Sequence, residues 1–193
     1  MILPVVKYGH PVLRQKGARV ETITPEIKKL IADMFETMHA ANGVGLAAQQ
    51  VGHALQLTVL DVREASKERP STLEIDGNPE DAGAFMPLVL INPELKPGAD
   101  FAAGPEGCLS FPEIYADISR PANVDVVALN PKGERIQFRC GGLLARAIQH
   151  ETDHLNGILF IDRMDRKTKA EFQLELEALQ ADTKAALKKP KTK

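Results

Sequence analysis

The sequence predicts an α+β fold, and three features carry that expectation. A clear amphipathic helix lies near the start. Short β-branched segments separated by turn residues fill the middle, and two further helical segments follow, the first bearing a histidine pair.

Residues 1–23 contain the apolar run Ile2 to Val6, then the turn-like Gly9-His10-Pro11 and Val12-Leu13-Arg14. They read as an irregular leading arm with one short strand. His10 and His53, each beside Pro or Gly, fit turn or surface roles. Residues 25–41 form the clearest helix. Thr24 can cap it, Pro25 suits the first helical position, and Ile27, Leu30, Ile31, Met34, Phe35 and Met38 make one apolar stripe. His39 falls near its end, and Asn42-Gly43 stops it.

Gly43-Val44-Gly45-Leu46-Ala47-Ala48-Gln49-Gln50 carries little side-chain bulk, so another backbone or a ligand can approach closely. Its spacing is not that of a dinucleotide fingerprint, and no strand precedes it. Gln50 is a neutral amide able to donate to an oxyanion. A strand is expected over Gln56–Val62. Residues 63–87 read as a long surface excursion, with room for a hairpin at Asp76-Gly77-Asn78. A strand over Leu88–Asn92 is expected to halt at Pro93.

Residues 104–112 form a compact motif centred on Cys108. Val124–Leu129 and Arg135–Cys140 read as strands joined by the turn residues Asn130-Pro131-Lys132-Gly133. A helix is expected over Leu143–Asn156, with Leu143, Leu144, Ala147, Ile148 and Leu155 apolar and Gly157 as its stop. Residues 166–188 read as a last helix with Phe172, Leu176, Leu179 and Leu187 on one side. The tail over 189–193 reads as disordered. The expected organisation is a single catalytic domain over 1–165, with the last helix packed on it or extending from it.

At 193 residues the chain can bury one sizeable core. Its 44% apolar and 26% charged composition is that of an ordinary globular protein. A formal net charge of -2 argues against nucleic-acid binding through bulk electrostatics, and no specific nucleic-acid motif is present. No signal peptide and no membrane span are expected, so the chain reads as cytoplasmic. Two cysteines, Cys108 and Cys140, cannot make a disulfide framework.

His150-Glu151-Thr152-Asp153-His154 places two imidazoles just over one helical turn apart, so both can reach one metal ion. Glu151 can then handle a proton of water held at that ion. The surrounding helix is apolar, and buried polar groups need partners. Asp153 reads either as an orienter of one imidazole or as a solvated charge. Cys108, in a glycine-flanked turn, is the candidate third ligand, whereas Cys140 shows no such context. Two nitrogens and one thiolate leave a tetrahedral fourth place for water.

Three motifs in order, Gly43 to Gln50, Glu106-Gly107-Cys108-Leu109-Ser110, and His150 to Gly157, resemble those of the peptide deformylases. The resemblance runs from the opening arm through Phe160, and the charged last helix is similar to that of the Gram-negative type. It implies antiparallel β-sheets packed around a central metal-binding helix, and an enzyme that removes the formyl group from the formyl-methionine of nascent proteins. It further implies that Cys108, His150 and His154 hold one divalent metal, physiologically Fe(2+), with zinc, nickel or cobalt able to substitute. Glu151 would act as general base and then acid, with Gln50 and the Leu109 N–H on the oxyanion. Val44, Gly45, Gly107 and Leu143 would meet the substrate. A ribosome contact through the C-terminal helix would be compatible with this.

The chain departs from the family pattern in three places. Tyr115 stands where many relatives carry Arg, Gly141 where they often carry Asp, and the 63–87 excursion is longer than expected. Two other readings remain open at the level of sequence: a small metallopeptidase of other specificity, and a metal-stabilised binding module.

Overall fold

The computed structural model describes residues 1–188. Helix α1 spans Pro25–Ala40, with Thr24 Oγ1 accepting from Ile27 N–H at 3.3 Å as its cap. The strands are β1 (Gly45–Ala47), β2 (Leu57–Leu60), β3 (Ser71–Ile75), β4 (Asn78–Glu80), β5 (Leu88–Pro97), β6 (Phe101–Cys108), β7 (Phe111–Pro121), β8 (Asn123–Leu129) and β9 (Arg135–Gly141). Helix α2 covers Gly142–Leu155, and α3 (Arg166–Glu171) and α4 (Gln173–Lys188) follow.

Among the described residues seven strands form one sheet in the order β1-β2-β5-β8-β9-β3-β4, and β6 and β7 form a second. Every named pairing is antiparallel. The α+β expectation holds, with α2 central.

The large sheet lies between α1 and α2, and the strand sequences explain this. On β2 and β5, Leu57, Val59, Val89 and Ile91 pack with α1 residues such as Met34 and Met38. Their neighbours Leu60, Leu88 and Leu90 pack with Leu144 and Ile148 of α2. Successive side chains point to opposite faces, so a strand covered on both sides must be apolar at every position. A third cluster joins Leu13 of the arm to Phe111, Ile118, Phe160 and Leu176. Through it the small sheet and α4 attach to the rest.

Several expectations need correction. The leading arm forms a 3-10 turn at Pro11–Arg14 and a single bridge, Ala18 to Leu55, in place of a strand. Its His10 does sit in a turn, where Nδ1 accepts from Val12 N–H. Strand β5 runs through Pro93. Asn92 adopts φ 52 and the register with β8 shifts between Ile91 and Glu94, so Pro93 falls where no ladder donor is needed. The 63–87 excursion is more than surface loop, since β3 pairs with β9 and extends the large sheet. Its hairpin turns at Asp76 and Gly77, both at positive φ, as a two-residue connection favours.

Cys108 ends a long strand, not a compact turn, and β6–β7 is a hairpin that the glycines and prolines of 104–112 concealed. The last helix breaks at Phe172, and Leu187, expected on its apolar side, is 49% exposed. The expectation for 189–193 lies outside the described residues. No described helix is long and apolar enough to cross a membrane.

Candidate metal centre

Helix α2 is the scaffold of the site. Twelve of its fourteen residues are buried, among them Arg146, Gln149, His150, Glu151, Asp153 and His154. The His150 and His154 rings face each other with centroids 5.0 Å apart. The β6–β7 hairpin brings Cys108 against them, with Sγ 3.3 Å from His154 Nε2. One ligand atom from each of Cys108, His150 and His154 lies within 4.8 Å of the others. Tetrahedral bonds to zinc-sized ions would separate such donors by about 3.3–3.6 Å, so the set closes on a metal with little movement.

Glu106 orients one imidazole. It precedes Cys108 by two positions on β6, so both side chains lie on the strand face that meets α2. Its Oε2 is 2.9 Å from His150 Nδ1. Burial pushes the Glu106 carboxyl up, but hydrogen bonds from His150 and Arg120 outweigh it and hold the group at about 2. An ionised carboxylate only accepts, so Nδ1 donates to it and Nε2 is the nitrogen left to face a metal.

Arg120 donates to both Glu106 oxygens at 2.6 and 3.0 Å, and Arg146 to Oε1 at 2.8 Å. Asp153 neither orients an imidazole nor faces water, since it pairs with Arg120 and Arg163 at 2.8 and 2.6 Å.

The electrostatics suit a cation. Burial pushes His150 down, but Cys108 and Glu106 outweigh it and hold the imidazole well above the usual histidine range. Burial and the neighbouring His150 push His154 well below that range, toward the neutral form that ligates. Burial also pushes Cys140 up to about 12, keeping it an inert thiol beneath α2 and outside the site.

Glu151 has one buried oxygen, Oε2, without a protein partner, and burial pushes its carboxyl up to about 7. The carboxylate lies so close to β1 that a Cβ on Gly45 would meet Oε1 at 2.5 Å, so only glycine fits there. Gln50 is fixed by its own carbonyl, which accepts from Ala47 N–H at 2.8 Å. Its Nε2 lies 3.5 Å from Cys108 Sγ and from Ser110 Oγ.

A cavity of about 480 Å³ opens onto this centre. Val44, Gly45 and Gln50 wall one side, Gly107, Cys108 and Leu109 another, and Leu143, His150 and Glu151 the helix side. His154, 1% exposed, sits behind them. The residues that the family resemblance implied, Gln50, Leu109, Glu151, Val44, Gly45, Gly107, Leu143, Cys108, His150 and His154, thus come together here.

Reading the sequence missed Glu106, Arg120 and Arg146, and also Lys7, whose Nζ donates to Leu109 O at 2.7 Å, and Arg69 on the rim. Arg120 had a detectable signal, because it continues the inward alternation of Ile114, Ala116 and Ile118 and a cation there needs an acid. Tyr115 is 69% exposed on the rim, opposite Gly107. At Gly141 a Cβ would meet Asn123 Oδ1 at 2.5 Å and Thr72 Oγ1 at 2.6 Å, so an aspartate there would have to displace both side-chain ends.

The family model for polypeptide deformylase matches residues 2–170. A peptide deformylase of Opitutus terrae is 44% identical over 190 residues, covering 97% of this chain and 98% of that protein. One of Clostridium acetobutylicum is 45% identical over 163 residues, covering 84% and 95%. An inhibitor-bound peptide deformylase of Arabidopsis thaliana superposes with TM-score 0.82 at 35% identity, covering 99% of this chain and 97% of that one. The Thermotoga maritima enzyme gives TM-score 0.71 at 36% identity, covering 86% and 99%.

Proposed function

The chain belongs to the polypeptide deformylase family and removes the N-formyl group from newly made proteins, and we propose that Cys108, His150 and His154 hold the metal of that reaction. The observation that carries this is the closure of the three donor atoms within 4.8 Å beside the unpartnered Glu151 oxygen. Bound there, a divalent ion supplies a Lewis acid that lowers the pKa of water. The Cys/His/His set suits Fe(2+), our choice for the physiological ion, and tolerates zinc, nickel or cobalt.

The chain's own groups do the rest. Glu151 takes the proton of the attacking water and returns it to the departing amine. Gln50 Nε2 and the Leu109 N–H donate to the oxyanion that forms at the formyl carbon. The backbone at Gly45 pairs with the extended nascent peptide as an added strand, past Gly107. Val44 and Leu143 give the methionine side chain apolar walls.

Glu151→Gln tests the chemistry. With metal content retained, formate release from formyl-Met-Ala-Ser should fall about 10²–10⁴-fold. Near-normal turnover in that variant would remove Glu151 from its role.

We further place the catalytic unit at 1–165, with 166–188 docked on it. The close approach of Gly9 to Gln180 and the burial of Leu176 support that docking. The exposed charged faces of α3 and α4 suit a ribosome contact in the cytoplasm, and salt-sensitive co-sedimentation with ribosomes would test it. No finding favours a peptidase or a metal-stabilised binding module.

A further inference from the structure

The helix that carries both histidines begins without a cap of its own. Gly141 stands extended at its N-cap with no side-chain hydrogen bond, so the first amide donors need partners from elsewhere. They find them in the 63–87 excursion. Leu143 N–H donates to Pro70 O at 3.1 Å, and Leu144 N–H to Ser71 Oγ at 3.1 Å. Ser66 Oγ lies 3.0 Å from Ser71 Oγ and steadies that hydroxyl. Gly142 admits the contact, with φ 64 and a Cβ position only 2.1 Å from Pro70 O. With glycine at 141, whose Cβ position is crowded by Thr72 Oγ1 and Asn123 Oδ1, no side chain caps the helix, and the excursion does so instead.

The same segment reaches the cysteine half of the site. Arg69 Nη2 donates to Pro105 O at 3.2 Å, just ahead of Glu106 and Cys108 on β6. Arg69 shares the cavity wall with Leu143 and Ala147.

We infer that Arg69, Pro70 and Ser71 form a clasp that fixes the first turn of α2 to β6 and thereby sets the apolar pocket for the substrate side chain. This rests on the deformylase reading. Arg69 and Ser71 are positioning residues. They act through Leu143, which faces the cavity, while His150 and His154 lie deeper in the helix and are held by Glu106 and Cys108. Loosening the clasp therefore weakens substrate binding more than it disturbs metal or chemistry.

The test is steady-state formate release from formyl-Met-Ala-Ser by the metal-loaded chain and its Ser71→Ala, Ser71→Thr and Arg69→Ala variants, with metal content measured alongside. Ser71→Ala should raise KM about fivefold, the effect of one lost cap, with kcat within about twofold and metal unchanged. Ser71→Thr should restore KM, and Arg69→Ala should raise it about two- to threefold. An unchanged KM in Ser71→Ala, a loss confined to kcat or metal, or no rescue by Ser71→Thr overturns the clasp. A wild-type chain that releases no formate overturns the function instead. The clasp then stands or falls on amide exchange at Leu143 and Leu144, which should quicken in Ser71→Ala.

Discussion

Helices α2 and α4 are of similar length, fourteen and sixteen residues, and both carry many polar side chains. Yet α2 is buried almost throughout, whereas on α4 only Leu176 is. The difference is in partners. On α2, Arg146 donates to Glu106 and to Ile118 O, Gln149 donates to Pro121 O, and His150 and Asp153 meet Glu106 and Arg120. Its apolar positions fill the gap beneath the large sheet. On α4 most polar groups stand exposed, and Gln173 donates to Glu177 at the surface. Burial of a charged helix follows from satisfied partners, not from its own composition. The one buried carboxylate oxygen on α2 without a partner, Glu151 Oε2, belongs to a residue that lines the cavity.

This contrast can be broken from the α2 side first. Glu106→Ala leaves two buried guanidinium groups and the His150 N–H without their carboxylate, and should destabilise the fold by about 3–5 kcal/mol in urea unfolding. A loss under about 1 kcal/mol would mean that the network does not hold α2 in place. On the α4 side, Leu176→Ala should cost about 2 kcal/mol, the low end for a buried leucine, while kcat for formate release stays unchanged. A fall in kcat would tie α4 to the active site. Leu174, 79% exposed on the same helix, sharpens the comparison: Leu174→Gln should move stability by no more than about 0.5 kcal/mol.

Local rules made α1 legible, because its stripe, cap and proline all agree, and the histidine spacing on α2 was equally plain. What escaped depends on partners distant in sequence. Asn92 bends β5 past Pro93, and its side chain bonds both the N–H and the C=O of Val20 at 2.9 Å, a match no local window contains. The β6–β7 hairpin was hidden because Gly104, Pro105 and Gly107 are poor strand formers that hold extended conformation only through pairing. Glu106 looked like one motif letter until folding set it against His150. Leu187 failed in the opposite sense, its helical spacing correct but nothing packed over it.

The Asn92–Pro93 pair also governs how the molecule ages. Spontaneous deamidation of asparagine proceeds when the following backbone nitrogen attacks the side-chain amide, and a proline nitrogen has no hydrogen to lose. Asn92, whose amide joins the arm to the sheet, is thereby shielded from becoming an aspartate that could no longer donate to Val20 O. Asn42 has no such shield. It is exposed, precedes Gly43 and lines the mouth of the cavity, and the exposed Asn156 likewise precedes Gly157 at the end of α2, so chemical wear in stored protein would begin at the cavity mouth and at the C-terminal end of that helix.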